Sequence, residues 1–195
     1  DVNVISVGVI PTSGVAWLVR HNNAEIGVVI SASHNPVDQN GIKFFNNRGL
    51  KMPLELELEI EELVRSETPL RSKGKQNGRF IQAEAMQEAY VQSLVFEQGN
   101  NFLDGLTIVV DCSNGAASKI APDVLSRAGA KVVAMHASPT GLNINLSCGS
   151  ERVRRKPSEM GNVIRHYQAD LGLAFDGDAD RVVFIDQEGI LIDGD

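Results

Sequence analysis

Leu171-Gly172-Leu173-Ala174-Phe175-Asp176-Gly177-Asp178-Ala179-Asp180-Arg181 is the stretch on which the fold turns. Its first five residues are apolar or small and read as a strand, and the polarity changes abruptly at Asp176. In a parallel sheet, ligands gather beyond the carboxyl ends of the strands, so the acidic run falls where chemistry is expected. The three aspartates alternate with small residues, and a near-extended loop of that period aims Asp176, Asp178 and Asp180 at one point. Carboxylates that close repel one another and raise one another's pKa unless a cation sits among them. Oxygen donors of this kind suit Mg²⁺, which keeps positions open for water or phosphate. A solvated acidic turn is the plainer alternative. Counting from Asp176 argues against an EF-hand, because the sixth position holds Arg181 in place of Gly and the twelfth holds Gln187 in place of Glu. Arg181 either pairs with one of the aspartates or holds a phosphate oxygen.

Working outward, apolar runs and helical patterns alternate. Residues 106–110 and 131–135 read as strands, residues 115–128 and 157–167 as helices. Beyond the acidic run, residues 181–186 and 189–192 read as a closing hairpin that turns at Gln187-Glu188-Gly189. Towards the start, residues 4–10 read as a strand and Pro11-Thr12-Ser13 as the beginning of a helix. Residues 27–30 form a β-branched run expected to be a buried strand. A further strand at 42–45 meets a hairpin turn at Asn46-Asn47-Arg48-Gly49, and residues 54–64 read as a Glu-rich amphipathic helix. The polar stretch 66–79, with Pro69, Gly74 and Gly78, is the best linker, and a helix follows over 83–96. Strands alternating with helices imply right-handed crossovers. The expected fold is α/β: two consecutive α/β domains with mainly parallel, mixed sheets, over residues 1–82 and 83–195.

Composition limits the function classes. With 25 acidic against 18 basic residues the net charge of the 195-residue chain is −7, which argues against general nucleic-acid binding. It leaves phosphate ligands open, because a bound metal overrides net charge locally. Cys112 and Cys148 are too few for a disulfide framework and lack zinc-finger spacing, so a reduced cytoplasmic setting is expected. No stretch approaches the roughly 18 apolar residues that cross a bilayer, so no membrane partner is expected. The chain starts at Asp1 without an initiator Met and stops at Asp193-Gly194-Asp195, so both ends read as cut.

A second loop carries chemistry. Ser31-Ala32-Ser33-His34-Asn35-Pro36 also follows an apolar strand. Serine beside histidine suggests a nucleophile, yet sequence neighbours rarely form the Ser–His hydrogen bond of a hydrolase, and no G-x-S-x-G elbow surrounds them. A hydrogen-bonded turn broken by Pro36 is an equal reading of the bare residues. Lys43, on the next strand, becomes a base if burial lowers its pKa, and is otherwise a surface lysine.

The two loops together, with Asn40-Gly41-Ile42-Lys43-Phe44 between them, resemble the alpha-D-phosphohexomutase superfamily. The Ser-Ala-Ser-His-Asn-Pro form and Gly141-Leu142-Asn143-Ile144-Asn145 resemble its bacterial phosphoglucosamine mutase branch. Val110-Asp111-Cys112-Ser113-Asn114-Gly115 looks like a strand-turn-helix landmark of the second domain. The resemblance covers essentially the whole chain. It implies that Ser33 carries a phosphoryl group, and that Mg²⁺ is held by Asp176, Asp178, Asp180 and an oxygen of phosphorylated Ser33. It further implies Lys43 as general acid/base, His34 as its active-site neighbour and Arg181 as a phosphate contact. The partners implied are a phosphosugar, glucosamine phosphate for this branch, and a sugar bisphosphate intermediate. A phosphoserine carries about −1.5 to −2 charge, which three aspartates would expel without a divalent cation.

The superfamily has four domains, and this chain resembles most of the first and the second. The expectation is therefore a fragment that does not turn over substrate at a useful rate. Cys148-Gly149-Ser150-Glu151-Arg152-Val153-Arg154-Arg155-Lys156-Pro157 departs from the pattern, which has Thr-His-Pro after Cys-Gly-Ser; the basic run reads as the solvated start of a helix. The alternatives are a phosphomannomutase or phosphoglucomutase of the same superfamily and a non-catalytic metal-binding module of this fold. A metal-dependent phosphatase is weaker still, because its D-x-D motif follows the first strand.

Overall fold

The computed structural model describes residues 2–66, 78–99 and 101–192. The first part contains β1 (Val4–Ser6), α1 (Thr12–His21), β2 (Ile26–Ser31), β3 (Gly41–Asn46), α2 (Leu54–Arg65), β4 (Phe80–Gln82) and α3 (Met86–Gln98). The second contains β5 (Thr107–Asp111), α4 (Ala117–Arg127), β6 (Lys131–Met135), α5 (Gly149–Arg155), α6 (Pro157–Tyr167), β7 (Leu171–Phe175), β8 (Val182–Asp186) and β9 (Leu191–Ile192). Most of the segment read as a linker, residues 67–77, lies outside the described residues.

The second part is one five-stranded sheet in the order β6-β5-β7-β8-β9. β5 pairs in parallel with both β6 and β7, and β8 and β9 complete the sheet antiparallel. Alternation along β5 divides the core by face. Ile108 and Val110 pack with Ala117 of α4, while Val109 packs with Val153, Met160 and Ile164 of α5 and α6. Helices thus cover both faces, and the chain leaves β5 on one side and returns to β7 on the other. That reversal creates a crevice at the carboxyl ends of β5 and β7, the usual ligand position in open α/β sheets.

The first part is sparser. β1 pairs in parallel with β4, and β2 pairs antiparallel with β3 from Ile26↔Asn46 to Ser31↔Gly41. The predicted turn forms at the far end of β3, where the Gly49 amide donates to the Asn46 carbonyl at 2.8 Å and the chain folds back to bridge Lys51 with Phe45. Three expectations need correction. The strand expected over 4–10 stops at Ser6, because the Gln87 side-chain amide takes the carbonyls of Val7 (2.7 Å) and Val9 (3.1 Å). The β-branched run of β2 is not buried on both faces. Val29 is buried, whereas Val28 and Ile30 are exposed, because α1 covers one face of this two-stranded ribbon and the other face is open among the described residues. The basic run after Cys148 is not merely a solvated helix start. It is the separate helix α5, which buries Gly149, Ser150 and Val153 and pairs Arg152 with Glu159 at 2.6 Å.

A third apolar cluster joins the two parts. Ile10, Leu18, Tyr90, Val91 and Ile120 are buried together, with α3 packed against both α1 and α4. This contact brings the loop after β2 against the loop after β7. Among the described residues no helix is long and apolar enough to cross a membrane.

Candidate functional site

The acidic run is a tight turn rather than the near-extended loop its alternation suggested. β7 and β8 are hairpin partners, with Phe175 opposite Val182, so residues 176–181 must reverse the chain. The Ala179 amide donates to the Asp176 carbonyl at 3.1 Å, with Ala179 in the left-handed region at φ 55°. The Arg181 amide donates to Asp176 Oδ1 at 3.1 Å. Asp176 and Asp178 are buried, Asp180 is exposed, and one ligand oxygen from each lies within 4.8 Å of the others.

The serine loop reaches this turn across the contact between the two parts. Ser33 Oγ donates to Asp176 Oδ2 at 3.3 Å. Ser33 is also left-handed, at φ 52°, a strain that non-glycine residues concentrate at functional sites. Its carbonyl accepts from the Gly177 amide at 3.0 Å and from Asn145 Nδ2 at 2.7 Å. A side chain at Gly177 has no room, because a Cβ there would lie 2.4 Å from that carbonyl oxygen. Lys43 extends from β3 and donates to Asp178 Oδ2 and to Asp180 Oδ2, the latter at 2.7 Å. Ser33, Lys43 and the three aspartates therefore meet. His34 is exposed and takes no part in these bonds. Arg181 contributes its backbone, while its guanidinium is exposed and 3.9 Å from Asp180.

Burial pushes Asp176 up to about 6; the Arg181 amide opposes this, and the charges of Asp178 and Asp180 add to the rise. Burial works on Asp178 in the same sense, but hydrogen bonds from Lys43 and Thr12 outweigh it and hold the carboxyl below its ordinary value. For Lys43, burial disfavours the charge, yet hydrogen bonds to Asp178 and Asp180 prevail and raise its pKa. The lowered pKa that would make Lys43 a resting base is thus not what its surroundings produce. It is an ammonium that partly neutralises the aspartates.

The donor set fits a hard divalent cation. It offers clustered carboxylate oxygens, and Asp178 Oδ1 is buried without a hydrogen-bond partner among the described residues. Such an orphaned acceptor is costly unless something binds it. The Ser33 hydroxyl, bonded to Asp176, stands beside the same set.

Two contributors escaped the sequence reading. Thr12, the first residue of α1, donates through Oγ1 to Asp178 Oδ2 at 2.8 Å and through its amide to the Asp178 carbonyl at 3.0 Å. The only available signal was its position at a helix start. Asn145 bridges the carbonyls of Ser33 and Asn35, at 2.7 and 2.9 Å. It stood in a quoted motif but had no assigned role, since a link across 112 residues is invisible to local spacing.

Comparison with known proteins agrees with this architecture. The family models "Phosphoglucomutase/phosphomannomutase, alpha/beta/alpha domain I" and "domain II" match residues 1–71 and 88–189. A phosphoglucosamine mutase of Symbiobacterium thermophilum is 46% identical over 195 residues, covering 99% of this chain and 42% of that protein. One of Pelotomaculum thermopropionicum is 49% identical over 197 residues, covering 100% and 43%. The chain thus spans less than half the length of these curated relatives. Among solved structures, a putative phosphomannomutase from Thermus thermophilus superposes with a TM-score of 0.77 at 23% identity, over 97% of this chain and 43% of that one. An Aspergillus fumigatus N-acetylphosphoglucosamine mutase in complex with GlcNAc-6P and magnesium gives 0.56 at 17% identity, over 93% and 48%. These likenesses establish a shared fold, and with the family models they lead to one conclusion: the chain belongs to the phosphoglucomutase/phosphomannomutase family and carries its α/β domains I and II.

Proposed function

We propose that this chain is the phosphoryl-carrying and metal-binding part of a phosphoglucosamine mutase, interconverting glucosamine 6-phosphate and glucosamine 1-phosphate through a sugar bisphosphate. The observation that carries the proposal is the 3.3 Å hydrogen bond from Ser33 Oγ to Asp176, which brings a hydroxyl nucleophile to a three-carboxylate cluster. The choice of sugar rests on the phosphoglucosamine mutases that match nearly the whole chain. A phosphosugar chemistry and free, buried cysteines suit a cytoplasmic setting.

In this reading Asp176, Asp178 and Asp180, with an oxygen of phosphorylated Ser33, hold Mg²⁺. When bound, Mg²⁺ supplies Lewis-acid neutralisation of the transferring group. Phosphorylated Ser33 gives its phosphoryl group to a sugar hydroxyl: the bond from phosphorus to Ser33 Oγ breaks and one to the sugar oxygen forms. Lys43, protonated beside Asp178 and Asp180, gives a proton to Ser33 Oγ and recovers one from the sugar hydroxyl. The sugar bisphosphate then returns its other phosphate to Ser33, which restores the carrier. The exposed Arg181 guanidinium meets a phosphate oxygen, and exposed His34 lines the substrate side. Most of the work in phosphoryl transfer is positioning, so the residues that grip the sugar belong to the remainder of the protein.

The test uses the full-length protein. Phosphopeptide mass spectrometry with Mg²⁺ retained should find phosphate on Ser33, and kcat/KM should be highest for glucosamine 6-phosphate. A preference for mannose or glucose phosphates would assign it to the phosphomannomutase or phosphoglucomutase branch. No phosphate on Ser33, with activity unchanged by Ser33→Ala, would leave only a metal-binding module.

A further inference from the structure

We propose a second metal site, of softer character, formed by Asp111, His136 and Cys148, for a thiophilic divalent ion such as Zn²⁺. One ligand atom from each of the three lies within 4.8 Å of the others. They come from separate places in the chain. Asp111 ends β5, His136 follows β6, and Cys148 immediately precedes α5. They lie on the same edge of the sheet as the acidic turn, but the phosphoryl-transfer reading uses none of them.

The local chemistry is built for approach. Gly149, at φ 80°, donates its amide to Asp111 Oδ2 at 3.0 Å. A Cβ at Gly149 would lie 2.6 Å from Ser113 Oγ and 2.9 Å from the Phe175 carbonyl, so glycine there lets Cys148 draw close. His136 Nδ1 lies 3.1 Å from the same Asp111 oxygen and is itself left-handed, at φ 48°. Asp111 and Cys148 are buried, while the His136 side chain is 38% exposed and leaves a path from solvent. Burial first, and then the charge of Asp111, push the Cys148 thiol up to about 12, so the metal-free site holds a thiol beside a carboxylate. A divalent ion reverses that balance: the thiol proton is released and sulfur binds as thiolate. Nitrogen, sulfur and oxygen donors together select zinc-like ions over Mg²⁺, and three protein ligands leave a fourth position for water.

The competing explanation is a structural Asp–His pair beside an inert thiol. Titration of the full-length protein with Co²⁺ and then Zn²⁺, in saturating Mg²⁺, separates the two. The expected result is a near-ultraviolet thiolate-to-cobalt charge-transfer band at one equivalent, removed by Zn²⁺. The band should persist in Cys112→Ser and in Asp176→Asn, which tells this site from the acidic cluster. It should vanish in Cys148→Ser, and His136→Gln, a change at an exposed residue, should weaken Zn²⁺ binding at least about tenfold. Absence of the band, or a band unaffected by both Cys148→Ser and His136→Gln, overturns the proposal whatever the state of Ser33.

Discussion

β2 leads into the serine loop, and β5 lies beside β7, which leads into the acidic turn; both are β-branched, and they are supported in opposite ways. In β5, Ile108, Val109 and Val110 are 1%, 0% and 0% exposed, with helices on both faces. In β2, Ile26, Val28 and Ile30 are 54%, 49% and 72% exposed, and only the alternate residues face α1. Ser33 is thus carried by a thin ribbon, and the acidic turn by a five-stranded sheet with helices on both faces. What holds the ribbon's loop against the acidic turn is polar and long-range: the Gly177 amide and Asn145 on the Ser33 carbonyl, and Lys43 of β3 on Asp178. Chemistry and stability are therefore separable between the two parts.

The largest expected effect tests that separation on the ribbon. On the proposed function, Ser33→Ala in the full-length protein should lower kcat/KM by at least about 10³-fold, because it removes the proposed carrier atom. The melting temperature should stay within error, since the Ser33 hydroxyl's bond to Asp176 is long, at 3.3 Å. A drop in stability as large as the drop in activity would break the comparison. Ile108→Ala reverses the pattern. It should cost about 2–5 kcal/mol in urea unfolding, against a change within about 0.5 kcal/mol for Ile30→Ala. Equal costs would show that the exposed face of β2 is covered in the full-length protein.

Gly177→Ala sharpens the contact between the parts. Its Cβ would meet the Ser33 carbonyl at 2.4 Å, so the serine loop must retreat. A loss of about 1–3 kcal/mol is expected, with Mg²⁺-dependent activity falling more than the stability alone explains. The smallest effect is electrostatic. Asp176 rises from an ordinary 3.8 to about 6 in the metal-free fold. A raised carboxyl stabilises the fold fully below its unfolded pKa and loses that contribution as pH rises through the folded one. The metal-free protein should therefore show a Tm component that declines between about pH 4 and 6. Asp176→Asn should lack it, and Mg²⁺ should offset it near neutral pH. A Tm slope identical in Asp176→Asn would place the proton elsewhere.

Apart from α5, the element order of the second part was legible because its strands and helices have a consistent period and are buried as that period requires. Residues 131–135, 157–167 and 171–175 form elements at those bounds. The first part was less legible. A β-branched run looks the same in a two-sided core as in a ribbon, and only the neighbours decide which it is. The acidic run shows the same limit at the site. Its composition suggested a cation site, but its shape follows from the antiparallel pairing of β7 and β8, which forces a six-residue reversal.

By itself, then, the sequence determined the chemical types: a serine after one strand, three aspartates after another, and a lysine between them, each readable because local polarity breaks are local. Only the tertiary structure decided that they meet. Ser33 and Asp176 are 143 residues apart, and their contact depends on α3 packing against both α1 and α4. The tertiary structure also decided that Lys43 stays charged and that Thr12 and Asn145 join the site. It also brought Asp111, His136 and Cys148 together, because burial and distance are properties of packing, which no residue carries alone.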